Sequence, residues 1–121
     1  MRSPANIKRI AELNDQLRSR IGIPVFGDCV PGTIMMTRGI CSLPPETQLE
    51  IWGAVNHFDS FTESNDPYGE HDFGKIEVCG TGTIFWKIDT YSCKACTHAS
   101  DDPTDPDKSY RVLTILLASE Y

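Results

Sequence analysis

The sequence predicts an α+β fold in which two helices pack on a mainly antiparallel sheet of three or four strands. Three observations carry this reading. Apolar residues recur at steps of three and four through residues 4–21; two β-rich runs flank Gly80-Thr81-Gly82; and residues 110–118 form a near-continuous apolar, β-branched run.

In the first helix, Ser3 suits the N-cap and Pro4 the first helical position. Ile7, Ile10, Leu13, Leu17 and Ile21 form one stripe, and Gly22 and Pro24 stop the helix. Lys8, Arg9, Glu12, Asp15 and Arg18 make a solvated face. Residues 25–32 are a turn-rich connection, and 33–37 a short strand ended by Arg38-Gly39. A second helix starts in Ser42-Leu43-Pro44-Pro45-Glu46 and runs to about Phe58, with Leu49, Trp52, Val55 and Phe58 on its apolar face. Residues 59–72 are a polar loop.

Residues 73–79 and 83–91 read as a hairpin. A three-residue loop at 80–82 would oppose Ile84 to Val78, Trp86 to Ile76 and Ile88 to Gly74, so that these apolar side chains share one face. Lys75, Glu77, Phe85, Lys87 and Asp89 then point outward, while Trp52 and Trp86 are packing residues. Residues 92–108 are a second polar loop. The run from Tyr110 to Ala118 fits a central strand buried on both faces, with a short buried helix as the alternative. With no repeat and no linker, residues 1–121 form a single domain.

The net charge of −6 argues against a surface that grips nucleic-acid phosphates, so no direct nucleic-acid binding is expected. It suits a basic protein partner, such as one that itself binds nucleic acid, or simply solubility. No apolar run approaches the roughly 20 residues of a membrane helix, and Met1-Arg2-Ser3-Pro4 lacks a signal-peptide core. The expected compartment is the cytoplasm, where the five cysteines are not read as a disulfide framework.

Cys93-x-x-Cys96-x-His98 has ligand-like spacing. Two thiolates three residues apart and a nearby imidazole can chelate zinc, which then wants a fourth ligand. The hairpin register places His71 diagonally across from Cys93, so Cys93, Cys96, His98 and His71 are the candidate ligands of a structural Zn2+. Cys29 and Cys41 could join through tertiary folding; Cys79, at the turn end, is a poor candidate. Packed or free thiols are the plain alternative. The motif follows a strand within an Asp- and Pro-rich loop rather than a βαβ unit, which argues against redox use of the thioredoxin kind.

Glu70-His71-Asp72 could orient an imidazole for acid–base work, with Lys87 and Asp89 on the same outward face as His71. The simpler reading of 66–72 is a turn built by Asp, Pro and Gly. The loop Asp101-Asp102-Pro103-Thr104-Asp105-Pro106-Asp107 lacks the spacing of a calcium loop but could serve as a negative surface. Neither a phosphate-binding glycine loop nor a Gly-x-Ser-x-Gly elbow occurs.

Ile10-Ala-Glu-Leu-Asn-Asp15, Thr37-Arg-Gly39, Asn65-Asp-Pro-Tyr-Gly-Glu-His-Asp-Phe-Gly74, Phe85-Trp-Lys-Ile-Asp89, Asp102-Pro-Thr-Asp-Pro106, Arg111-Val-Leu-Thr-Ile115 and Glu120-Tyr121 together resemble a family of small uncharacterised proteobacterial proteins, a domain of unknown function. Cys93 and Cys96 lie outside that pattern. The resemblance implies a setting on plasmids and other mobile elements, and it transfers no catalytic residue. Small acidic proteins of such elements often block a host defence protein, and by that analogy the chain is expected to be a non-enzymatic binding protein, for instance an anti-CRISPR inhibitor of a CRISPR effector. The alternatives are a small metal-dependent or acid–base enzyme using Glu70, His71 and Asp72, and a toxin–antitoxin or accessory protein.

Overall fold

The computed structural model describes residues 2–21 and 30–121. Gly22, Pro24, most of the connection at 25–32 and Cys29 lie outside the described residues. Helix α1 spans Pro4–Arg18, strand β1 Gly32–Met36, helix α2 Arg38–Cys41, helix α3 Pro45–Asn56, and strands β2, β3 and β4 Phe73–Val78, Gly82–Tyr91 and Tyr110–Leu117. The sheet order is β1-β4-β3-β2. β1 runs parallel to β4, and the other two pairings are antiparallel. This is the expected α+β architecture, with one parallel edge and with α2, a single turn, as an added element.

Ser3 caps α1 by accepting the Asn6 N–H on its hydroxyl at 3.2 Å. Ile10, Leu13, Leu17 and Ile21 are buried. α1 and α3 cover one face of the sheet, and the core between the layers holds Leu17, Ile40, Ile51, Val55, Ile84, Trp86, Leu113 and Ile115. β4 lies between two strands, and Val112, Leu113, Ile115 and Leu116 are all buried, so both of its faces are covered as its composition requires.

Of the four residues expected on the apolar face of the second helix, Val55 is buried, and Trp52 and Phe58, the latter just past the end of α3, pack against the core. Ile51, one turn before Val55, is the buried residue not foreseen, while Leu49 is 62% exposed. A stripe drawn at repeated steps of three drifts around a helix of 3.6 residues per turn, and that drift carries Leu49 to the solvent side.

The hairpin register also differs. Trp86 opposes Gly74 and Ile84 opposes Ile76, a shift of two positions from the expected pairs. The cause is the indole, which lies over Gly74: a Cβ there would come to 2.5 Å from Trp86 Cε2. Only glycine leaves that space. A shift of two keeps the alternation, so Lys75, Glu77, Phe85, Lys87 and Asp89 do face away from the helices. The turn moves to 79–81, where the Thr81 N–H donates to Val78 O at 3.0 Å and Gly80 takes φ 83°.

Candidate functional site: an acidic cleft beside helix α1

The loop at 66–72 is held against α1 by a chain of buried polar groups. Asp66 is 8% exposed and accepts the N–H groups of Glu70 and His71 on its carboxylate, at 3.1 and 3.3 Å. These bonds fold the chain into a tight turn completed by Gly69 at φ 71° and His71 at φ 55°. From α1, Asn14 donates to Glu70 O at 2.9 Å. Arg111, fully buried on β4, donates in turn to Asn14 Oδ1 at 2.6 Å, to Ser109 Oγ at 3.0 Å and to Pro103 O at 2.5 Å. Burial, helped by repulsion from Arg9, lowers the Arg111 pKa to about 10, and Glu70 opposes this. The guanidinium therefore stays cationic at neutral pH.

The positive φ at His71 breaks the strand alternation, with two results. His71 turns to the helix side, not to the outward face with Lys87 and Asp89. Its Nδ1 lies 3.0 Å from both Asp15 carboxylate oxygens, and its ring stacks on Phe61 with centroids 3.8 Å apart and planes nearly parallel. Arg18 completes this knot. It pairs with Asp15 at 2.9 Å, donates to Val55 O at 2.9 Å, and lies over the rings of Phe61 and Trp86. Lys87 and Asp89 pair with each other at 3.0 Å.

Glu70 and Asp72, by contrast, open into a cleft of about 740 Å³ lined by Arg2, Ile7, Tyr68, Glu70 and Asp72. A second hollow of about 250 Å³ shares Arg2, Glu70 and Asp72 and extends to Asn14, Asp89 and Pro103. Arg2 grips Glu70 with one nitrogen at 3.0 and 2.9 Å from the two oxygens. Burial raises the Glu70 pKa, Arg2 opposes it, and Asp72 and Asp66 add to the rise. Burial likewise raises Asp72, followed by the negative charges of Asp66 and Asp89. Among the described residues, no ion pair to Asp72 forms. The predicted acid–base trio is therefore split: its two carboxylates share a cleft and its imidazole is committed to Asp15.

The four predicted zinc ligands are likewise not gathered. His71 is engaged at α1. Cys93 and Cys96 are free, and His98 Nδ1 lies 3.0 Å from Thr97 Oγ1. Among the described residues, no group of three or more His, Cys, Asp or Glu side chains is placed to hold a metal ion. The geometric premise fails at residue 71, because β2 begins only at Phe73 and the left-handed turn before it aims the imidazole elsewhere.

Asp66 builds the turn that the Asp, Pro and Gly of 66–72 lead one to expect. Asn14 and Arg111, which brace that turn from behind, escaped the sequence reading, although both had a signal. Asn14 interrupts the buried stripe between Leu13 and Leu17, and Arg111 stands beside a run of apolar residues. A polar residue on a buried face calls for a partner.

Comparison with known protein families places the chain in one of them. The model of the family described as "Protein of unknown function (DUF3768)" matches residues 36–120. The chain belongs to that family. The matched span contains the 66–72 turn, Asp72, Asp89 and Arg111, whereas Arg2 and Asn14 precede it. No curated protein and no solved structure matches the chain. Among the described residues, no helix is long and apolar enough to cross a membrane.

Proposed function

We propose that the chain is a non-catalytic binding protein whose acidic cleft receives a cationic side chain, Lys or Arg, from a basic protein partner. The observation that carries this is Asp72: a carboxylate on the cleft wall with its pKa raised by burial and by Asp66 and Asp89, only partly offset by Arg2, and, among the described residues, with no ion pair of its own. An incoming guanidinium or ammonium would relieve that repulsion, and the exposed Tyr68 ring and Ile7 offer apolar surface for its stem. The diversion of His71 to Asp15 favours binding over acid–base catalysis, since the imidazole does not line the cleft.

A nine-residue arginine peptide, with a glutamine peptide as control, tests the site. Amide NMR shifts should concentrate at residues 2, 7 and 68–72. The Glu70→Gln/Asp72→Asn double variant should weaken binding about 10-fold or more, while Asp101→Asn/Asp107→Asn, which removes as much charge elsewhere, should not. Equal loss in both variants would reduce the effect to net charge and sink the proposal. A CRISPR effector, met through its basic nucleic-acid groove by a protein of a mobile element, is the specific partner that the analogy from size and charge offers. Failure to co-purify with such effectors, with interference intact in cells, would remove that version alone.

A further inference from the structure

Beyond β3 the chain folds into a short ribbon with the two thiols at its tip. Tyr91 bridges Ala99, the Ser92 N–H donates to His98 O at 2.8 Å, and the Ser100 N–H donates to Thr90 O at 3.1 Å. The Cys96 N–H then donates to Cys93 O at 3.0 Å, closing a four-residue turn over Lys94 and Ala95. Such a turn holds its end Cα atoms within about 7 Å, which overlaps the range of about 4.4–6.8 Å that a disulfide bridges. Cys96 holds φ 56°, a left-handed conformation uncommon for a residue with a Cβ. Cys93 is exposed and Cys96 half-buried, and both are free. No third ligand joins them among the described residues.

We infer that Cys93 and Cys96 form a surface dithiol that exchanges with low-molecular-weight disulfides of the glutathione class. Cys93, the more accessible, attacks first as thiolate. Its sulfur bonds to one sulfur of the external disulfide, whose S–S bond breaks and releases one thiolate. Cys96, deprotonated in turn, attacks the Cys93 sulfur, forms the 93–96 bond and releases the second thiolate. The two cysteine protons end on the released thiolates, and two electrons pass from the protein to the external disulfide. This is not thioredoxin-type chemistry at a helix N-terminus; the turn alone brings the pair together.

The full chain, equilibrated in glutathione buffers from reducing to oxidising and then alkylated, tests this. Trypsin cleaves after Lys94, between the two thiols. Cys93 and Cys96 should lose alkylation together, with the intact mass falling by two hydrogens, and the fragments on either side of Lys94 should stay joined until dithiothreitol is added. Cys93→Ser should leave Cys96 as a glutathione adduct, and Cys96→Ser the converse, both with unchanged circular dichroism because the tip holds no core residue. Three results would overturn the inference: alkylation of both thiols at every buffer ratio, open glutathione adducts on the wild type, or bonding of either thiol to Cys29, Cys41 or Cys79. Protection of both thiols in reducing buffer by one equivalent of zinc, reversed by chelator, would also overturn it and assign a metal site instead.

Discussion

Residues 59–72 and 92–108 are both polar connections rich in Asp and other turn-forming residues, yet they are built in opposite ways. In the first, Asp66 is buried, Phe61 packs against Phe58 and Trp86, and Asn14 and Asp15 of α1 take hold of the backbone and the imidazole. In the second, the bonds are mostly local: Asp102 accepts from Thr104, Asp105 from the Asp107 N–H at 2.9 Å, and Ser100 donates to Lys108 O at 2.8 Å. Turn-forming residues produce turns in both loops. What converts one into architecture is a buried polar partner supplied by another element. Arg111 joins the two, since it reaches Pro103 O in the second loop and, through Asn14, Glu70 O in the first.

Removing that link should have the largest effect. Arg111→Ala leaves Asn14 Oδ1, Ser109 Oγ and Pro103 O without their donor and opens a cavity, and it should cost about 3–5 kcal/mol in urea unfolding. Hydrogen exchange should quicken in both loops; quickening in one alone would break the proposed linkage. Asp66→Ala comes next. It strips the acceptor from two backbone N–H groups and should cost about 1–3 kcal/mol, with faster exchange in 66–72 and none in 92–108.

Asp72→Asn should have the smallest effect, and of opposite sign. The Asp72 pKa is raised on folding, so the folded state binds its proton more readily than the unfolded chain. Ionised Asp72 therefore opposes folding at neutral pH, and the penalty fades as pH falls through its own titration range. The variant should melt about 1–3 °C higher than wild type at pH 7, with the gap closing toward pH 4. A gap that widens on acidification would contradict the assignment.

The layer plan was legible because it follows from periodicity. Ser3 and Pro4 start α1, and the β-branched, near-continuous apolar run at 110–118 favours a strand covered on both sides over the alternative of a short buried helix. The hairpin faces were legible for the same reason, but not the register. That depends on which residue yields space to the Trp86 indole, and Gly74 shows this only in three dimensions. His71 was misplaced because a left-handed residue without glycine leaves no mark in the sequence, and with it went the proposed convergence on the thiols. Of the cleft, Glu70 and Asp72 were singled out as chemistry, while the Asn14–Arg111 scaffold behind them was visible only as polar residues in apolar company.

The sheet order has a consequence for how the molecule assembles. β4 comes last of the strands in the chain but lies between β1 and β3. Until residues 110–117 insert, β1 has no strand to lie against and the hairpin is a separate fragment. The rate-limiting event should be this late insertion between distant parts of the chain, a route that is slow for its size and leaves open strand edges vulnerable to self-association in the meantime.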